Sequence, residues 1–384
     1  MPGLGVDAGA RLDVVARPAL GATMAVLRAP GEVFVTGHTF GDDVVAWVER
    51  VDPTTLEALA RSPELLAGPF WPGGIAAHAN GSLYVTCGRW CHRLDPDCRP
   101  VASCELPQPR PYNSLLVLPD GTLVMKDLVR DGSVHSRLVA LEPERLEPLG
   151  PELELPEASI ARLSADGDVV YVVGDHSAFR YRWDGRATRF IRDEAWCVPY
   201  RTRPDQSYGW DPVIEGGSVW FMDNGDHRYQ GTMRDAGIAA GPVHLVRARV
   251  EDGAWTLHPV SGLPRGAITN PPLYDPVRRI AVAFDSANAW LGAWRVDDER
   301  FTLLWSRASG TASHMLRYPD TGELVVDDHG PGGDAVVVLD VETGVERARA
   351  ATGSPMQSVV FPAVGWGRDF YYCSFSTLAR VAVV

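Results

Sequence analysis

The sequence predicts an all-β, single-domain β-propeller, most simply of eight four-stranded blades. Three observations predict it. A strand–acidic turn–strand hairpin recurs at a near-constant interval, a second kind of hairpin precedes each copy, and a spare N-terminal strand matches a strand missing at the other end.

The recurring hairpin is clearest in "AVVVLDVETGVERARA", where an apolar run meets Asp340 and Gly344 before a second strand. The same pattern places Asp52, Asp95, Glu142, Asp184, Glu251 and Asp297 at the turns of earlier copies. Successive copies lie 42 to 47 residues apart, apart from one gap of 67; this is the period of propeller blades. The preceding hairpins include "AVLRAPGEVFVTG", "AAHANGSLYVTC", "LLVLPDGTLVMKD" and "LRYPDTGELVVDD". Each joins a β-branched or aromatic strand to a Gly/Asp/Asn reversal, residues suited to a buried pleated surface and a tight turn. The eighth copy ends in "LARVAVV" without an outer strand, and "ARLDVVARP" near the N-terminus supplies one. Pairing the two removes an exposed sheet edge. The expected blades are about 21–66, 67–110, 111–157, 158–206, 207–265, 266–311, 312–354, and 355–384 with 10–18. The alternative is seven blades with one segment miscounted. "PTTLEALARSPELL" could form a turn of helix but stands where an outer strand is due.

Composition agrees. Hydrophobic residues make up 45% of the chain, and its 38 Gly and 30 Pro carry no collagen period. The net charge of −13 offers no basic stripe for phosphates, so nucleic acid is not an expected partner. No run reaches the roughly 20 apolar residues of a membrane helix, and the N-terminus lacks a signal-peptide pattern, so a cytoplasmic protein without a membrane partner is expected. Four of the six cysteines, Cys87, Cys91, Cys98 and Cys104, fall in one stretch beside His92. Their spacing is not that of structural zinc, and buried free thiols are the expectation.

The outer hairpin "VVVLDVETGVERA" resembles the repeat of quinoprotein-like and surface-layer-type propellers. "YNSLLVLPDGTLVMKD" resembles the blade unit of SMP-30, gluconolactonase and strictosidine-synthase-like propellers. The second resemblance implies that an Asn opening an inner strand, here Asn113, binds a divalent ion. The chain departs from that pattern in having no matching first-blade Glu and in having more than six blades. A shared fold does not name a reaction.

In a propeller, the loops entering the first strand and leaving the second share one face, the default ligand site. The first-strand entries supply Asn113, Trp210, Asp211, Asn270, His314 and Gln357. These polar side chains would position substrate, or else tie one blade to the next. The second-strand exits supply His38, Lys126, Asp127, Asp328 and His329, with Asp175, Asp223 and Asp285 in similar places. Imidazole and carboxylate serve as proton carriers and as metal ligands. His38, Lys126, Asp127, His314, Asp328 and His329 are therefore the catalytic candidates. His38, His314 and His329 could together hold one divalent metal ion, the only cofactor these residues suggest. The fifth blade carries the long insertion "DNGDHRYQGTMRDAGIAAGP", a lid or a flexible loop, in which Arg228 and Tyr229 are candidate ligand contacts.

No nucleophile elbow, Walker loop or dinucleotide fingerprint is present in its required context. Two functions remain open. One is a small-molecule enzyme, a metal-assisted or acid/base hydrolase or a lyase or cyclase. The other is a non-catalytic propeller that binds a ligand or a protein.

Overall fold

A computed structural model describes residues 3–7, 10–41, 44–69, 73–130 and 132–384. Among these residues the strands form eight antiparallel sheets, each a meander of four strands, the first with one further short strand. The expected eight-bladed all-β propeller is the fold observed.

The chain divides into two compact units. One is Leu20–Pro199, and the other is the segment up to Ala19 together with Tyr200–Val384. The first unit holds the first four sheets. Phe34, Val48, Leu83, Val85 and Leu94 pack between its first two sheets, and Val124, Leu138, Val170, Tyr181 and Trp183 between its last two. The second unit holds sheets five to eight. Tyr318, Val325, Val336, Phe370, Tyr372 and Val381 pack between its seventh and eighth sheets, joined by Leu4 and Val6.

Position within a sheet explains the sequence of each strand. Second strands such as Val33–His38, Leu83–Cys87 and Ile280–Asp285 are buried throughout, so they open on apolar runs (VFV, LYV, IAVAF). The outermost strand Pro100–Glu105 alternates between half-buried and exposed. Each fully buried Val, Leu or Phe contributes roughly 1.5–3 kcal/mol.

The recurring acids have a local cause. Asp52 accepts the amides of Thr54 and Thr55, Asp184 those of Arg186 and Ala187, and Asp340 those of Glu342 and Thr343. Each closes an Asx-type turn between the outer strands. In the fifth sheet the residue doing this is Asp252, which accepts from Ala254, and not the expected Glu251. The helix-compatible stretch is also a strand, Ala58–Arg61, entered through Leu56 at φ 63°. The eighth sheet is completed as expected: Leu12–Pro18 pairs antiparallel with Thr377–Val383, from Leu12↔Val383 to Pro18↔Thr377. No helix among the described residues is long and apolar enough to cross a membrane.

Candidate functional site

The second unit contains a cleft of about 520 Å³ lined by Thr232, Arg234, Ser286, Ser309, Gly310, Asp328, His329 and Gln357, among others. It brings together three of the sequence candidates, Asp328, His329 and Gln357, with two residues of the fifth-sheet insertion.

His329 and Asp334 are built by one hairpin. Strands Glu323–Gly330 and Gly333–Asp340 are joined through Pro331-Gly332, which sets His329 directly opposite Asp334. Side chains alternate along a strand, so Asp327 shares the face of His329 and Asp334. The backbone entering the seventh sheet passes close behind. A Cβ on Gly310 would lie 2.2 Å from the His329 carbonyl oxygen, so only glycine fits there.

Nδ1 of His329 lies 3.7 Å from Oδ1 of Asp334, and neither of these buried atoms makes a hydrogen bond among the described residues. The other carboxylate oxygen of Asp334 accepts the Ser358 amide at 2.8 Å and the Tyr372 hydroxyl. Asp334 is thus fixed by the eighth sheet and aimed at His329. Burial pushes its carboxyl upward, opposed by the neighbouring imidazole. Asp327 is wholly buried and accepts the amides of Ala312 and Ser313. Burial and then the charge of Asp334 push its carboxyl well above the usual range. With Nδ1 turned to Asp334, Nε2 is the His329 nitrogen left for a ligand.

Asp328 points elsewhere. Its carboxylate accepts the Gly310 amide at 2.7 Å and pairs with Arg349 at 2.7 Å, so its charge is already compensated. Gln357 acts as a clamp. Its Oε1 accepts the Met233 amide and the Thr232 hydroxyl, and its Nε2 donates to Gly310 O at 2.7 Å. Tyr229 donates its hydroxyl to the Gln357 carbonyl at 2.7 Å. The insertion is accordingly pinned. His227 bridges Gly237, Asp235 N donates to Ala287 O, and Met233 and Ala236 are buried with Ala267, Ala287 and Ala312. Arg228 is exposed and is not among the cleft-lining residues.

The other candidates are not among the residues that line this cleft. Within the second unit, His314 Nε2 is 3.8 Å from Asp211 Oδ2, and the His314 ring packs 4.4 Å from Phe361. The Trp210 ring stacks on Tyr208 and meets His227 edge-on. Asn270 donates to the carbonyls of Ala312 and Val359, tying the sixth sheet to its successors. In the first unit Asn113 donates to the Ile160 carbonyl in the same way. Lys126 is completely buried, with Nζ donating to the carbonyls of Asp127 and Ser159, each at 2.9 Å. Asp127 accepts from Arg110 and from the Arg137 amide. His38 also belongs to the first unit. Its Nδ1 faces Thr39 O at 2.9 Å, and burial lowers its pKa. His38, His314 and His329 thus each face a separate partner. Among the described residues no group of three or more His, Cys, Asp or Glu is placed to hold a metal ion. The six cysteines are free thiols.

Sequence reasoning passed over Asp334, although a signal was present. "HGPGGD" is a two-residue reversal flanked by glycines, and counting outward from Pro331-Gly332 sets His329 against Asp334.

No protein-family model and no curated protein sequence matches the chain. Solved structures do. The chain is similar to the quinohemoprotein alcohol dehydrogenase of Comamonas testosteroni, with TM-score 0.66 and 11% identity, over 99% of this chain and 78% of that one. A europium-containing methanol dehydrogenase gives TM-score 0.56 and 10% identity, covering 93% and 84%. The WD40 domain of Neurospora crassa Pan2 gives 0.54 and 9%, covering 89% and 98%. At these identities the likeness shows the propeller fold alone, and the fold serves both enzymes and WD40 domains.

Proposed function

We propose that the protein is an enzyme acting on a small molecule in the cleft of the second unit, with His329 as general base and Asp334 as its positioning residue. The observation that carries this reading is the buried Asp334 carboxylate oxygen, which has no hydrogen bond among the described residues and faces His329 Nδ1 at 3.7 Å. That separation is too long for a hydrogen bond, and catalytic contacts of this kind commonly tighten when substrate binds. A carboxylate behind an imidazole selects the tautomer protonated at Nδ1 and stabilises the imidazolium formed when Nε2 takes up a proton.

The cleft narrows the reaction type. Ser286 donates its hydroxyl to Thr311 O, and Ser309 shares a hydrogen bond with the Thr311 hydroxyl. Neither is presented to His329 as a nucleophile. The arrangement favours a base acting on water, as in lactone or ester hydrolysis, or on a carbon acid, as in a lyase or cyclisation step. The acid/base form of the sequence expectation is the one these contacts support.

The test is turnover of a lactone and ester panel by wild type, His329→Gln and Asp334→Asn. General-base removal is expected to cost about 10²–10⁴-fold with folding intact. Full activity in His329→Gln would discard the reading. Ligand binding without turnover in the wild type would favour a binding propeller.

A further inference from the structure

We infer that the cleft takes an oxyanion-bearing small molecule, a carboxylate or phosphate ester, and that Arg234 is the residue that binds the anion. This deepens the reading of the cleft as an acid/base site and rests on it.

Among the described residues, three side chains in the cleft can carry charge: Arg234, Asp328 and His329. Asp328 is spoken for by Gly310 N and Arg349. His329 is turned at Nδ1 toward Asp334. The Arg234 guanidinium has no hydrogen-bond or ion-pair partner among the described residues, and the residue is exposed. Among the charged groups of the described cleft residues, it alone is left uncommitted by the fold, in a chain of net charge −13.

Its backbone, by contrast, is held from several sides. Arg234 N donates to the Thr232 hydroxyl at 3.1 Å. The residues on either side, Met233 and Asp235, are fixed through Gln357 and through Ala287 O. A Cβ on Gly237, at the base of the loop, would lie 2.0 Å from Arg265 O, so the loop closes tightly on its support. A flexible side chain on a rigid mount loses less freedom on binding than one on a mobile loop. The guanidinium fork matches a carboxylate or phosphate in bidentate fashion. Thr232 and Gln357, already engaged with each other, shape the wall between them.

The experiment measures binding of benzoate, succinate and phenyl phosphate, each against a neutral counterpart (benzamide, succinamide, benzyl alcohol). Isothermal titration and saturation-transfer NMR are applied to wild type, Arg234→Gln, Arg234→Lys and His329→Gln. At least one anion is expected to bind wild type about 10-fold or more tighter than its neutral counterpart, to lose that margin in Arg234→Gln, and to keep part of it in Arg234→Lys. Preference for carboxylates or for phenyl phosphate identifies which oxyanion the site takes. Equal binding of the neutral compounds, anion binding that survives Arg234→Gln, or no anion binding by wild type at about 10 mM would each overturn the inference. Arg234 is exposed, so its variants should melt with the wild type. If anion binding depends on Arg234 while His329→Gln leaves turnover unchanged, the acid/base reading falls and the anion site stands. If turnover depends on His329 but binding ignores charge, the reverse holds.

Discussion

Replacing Gln357 by Leu tests whether the insertion is a fixed mount. Gln357 is 1% exposed, and its amide makes three contacts: from Met233 N, from the Thr232 hydroxyl, and to Gly310 O. Leucine nearly preserves the volume and removes all three. The Met233 amide would then be buried without an acceptor, costing about 1–3 kcal/mol. Gly310 O keeps its second bond, from His329 N at 3.1 Å, so the loss there is about 0.5–1 kcal/mol. Thr232 can turn its hydroxyl to solvent at little cost. The sum is about 1.5–4 kcal/mol, or about 3–16 °C in the melting of a unit this size. Thermal unfolding gives the total, and amide hydrogen exchange localises it to 231–236. Anion affinity should fall as well, because Arg234 rides on the loosened loop. A loss below about 0.5 kcal/mol with unchanged exchange across the insertion would refute the clamp.

Asp327→Asn should shift the pH dependence of stability. The folded state raises this carboxyl above its unfolded value, so its contribution is complete below the unfolded pKa and is lost as pH rises through the folded one. The variant should therefore gain on wild type as pH rises above the ordinary Asp range, near about 4, measured by denaturant unfolding, and a constant difference would contradict the assignment. Asn270→Ala should cost about 1–3 kcal/mol, because the carbonyls of Ala312 and Val359 lose a donor, and should leave anion affinity unchanged in the same titration. Removing the residues before Leu20 deletes the strand paired with Thr377–Val383. Size-exclusion chromatography should show association through the bared edge, and a well-behaved monomer would argue against that role.

Much of the fold was legible because its causes are local. The Asx turn at Asp340 and the buried run Leu324–Val326 each announce themselves within a few residues. The completion of the eighth sheet was also readable, since one strand was lacking at one end and supernumerary at the other. The site was only half legible, because side chains there are assigned by partners from other sheets. Asn270 and His329 both stand at loop positions that favour function, yet one is consumed by the carbonyls of Ala312 and Val359 and the other is left facing Asp334. Asp327 and Asp328 are adjacent in sequence, but strand alternation sends one into the core and the other to Arg349. The insertion reads in the sequence as a lid or a flexible loop, and what fixes it is a glutamine more than a hundred residues later.

The pairing of Leu12–Pro18 with Thr377–Val383 also orders events in time. Leu20–Pro199 is one uninterrupted stretch and can condense while synthesis continues. The other unit cannot complete its eighth sheet until Thr377–Val383 has been made, so Leu12–Pro18 waits for a partner far along the chain. Contacts of such sequence separation form slowly. Until then the backbone N–H and C=O groups of Leu12–Pro18 stay open to pairing with any other strand edge.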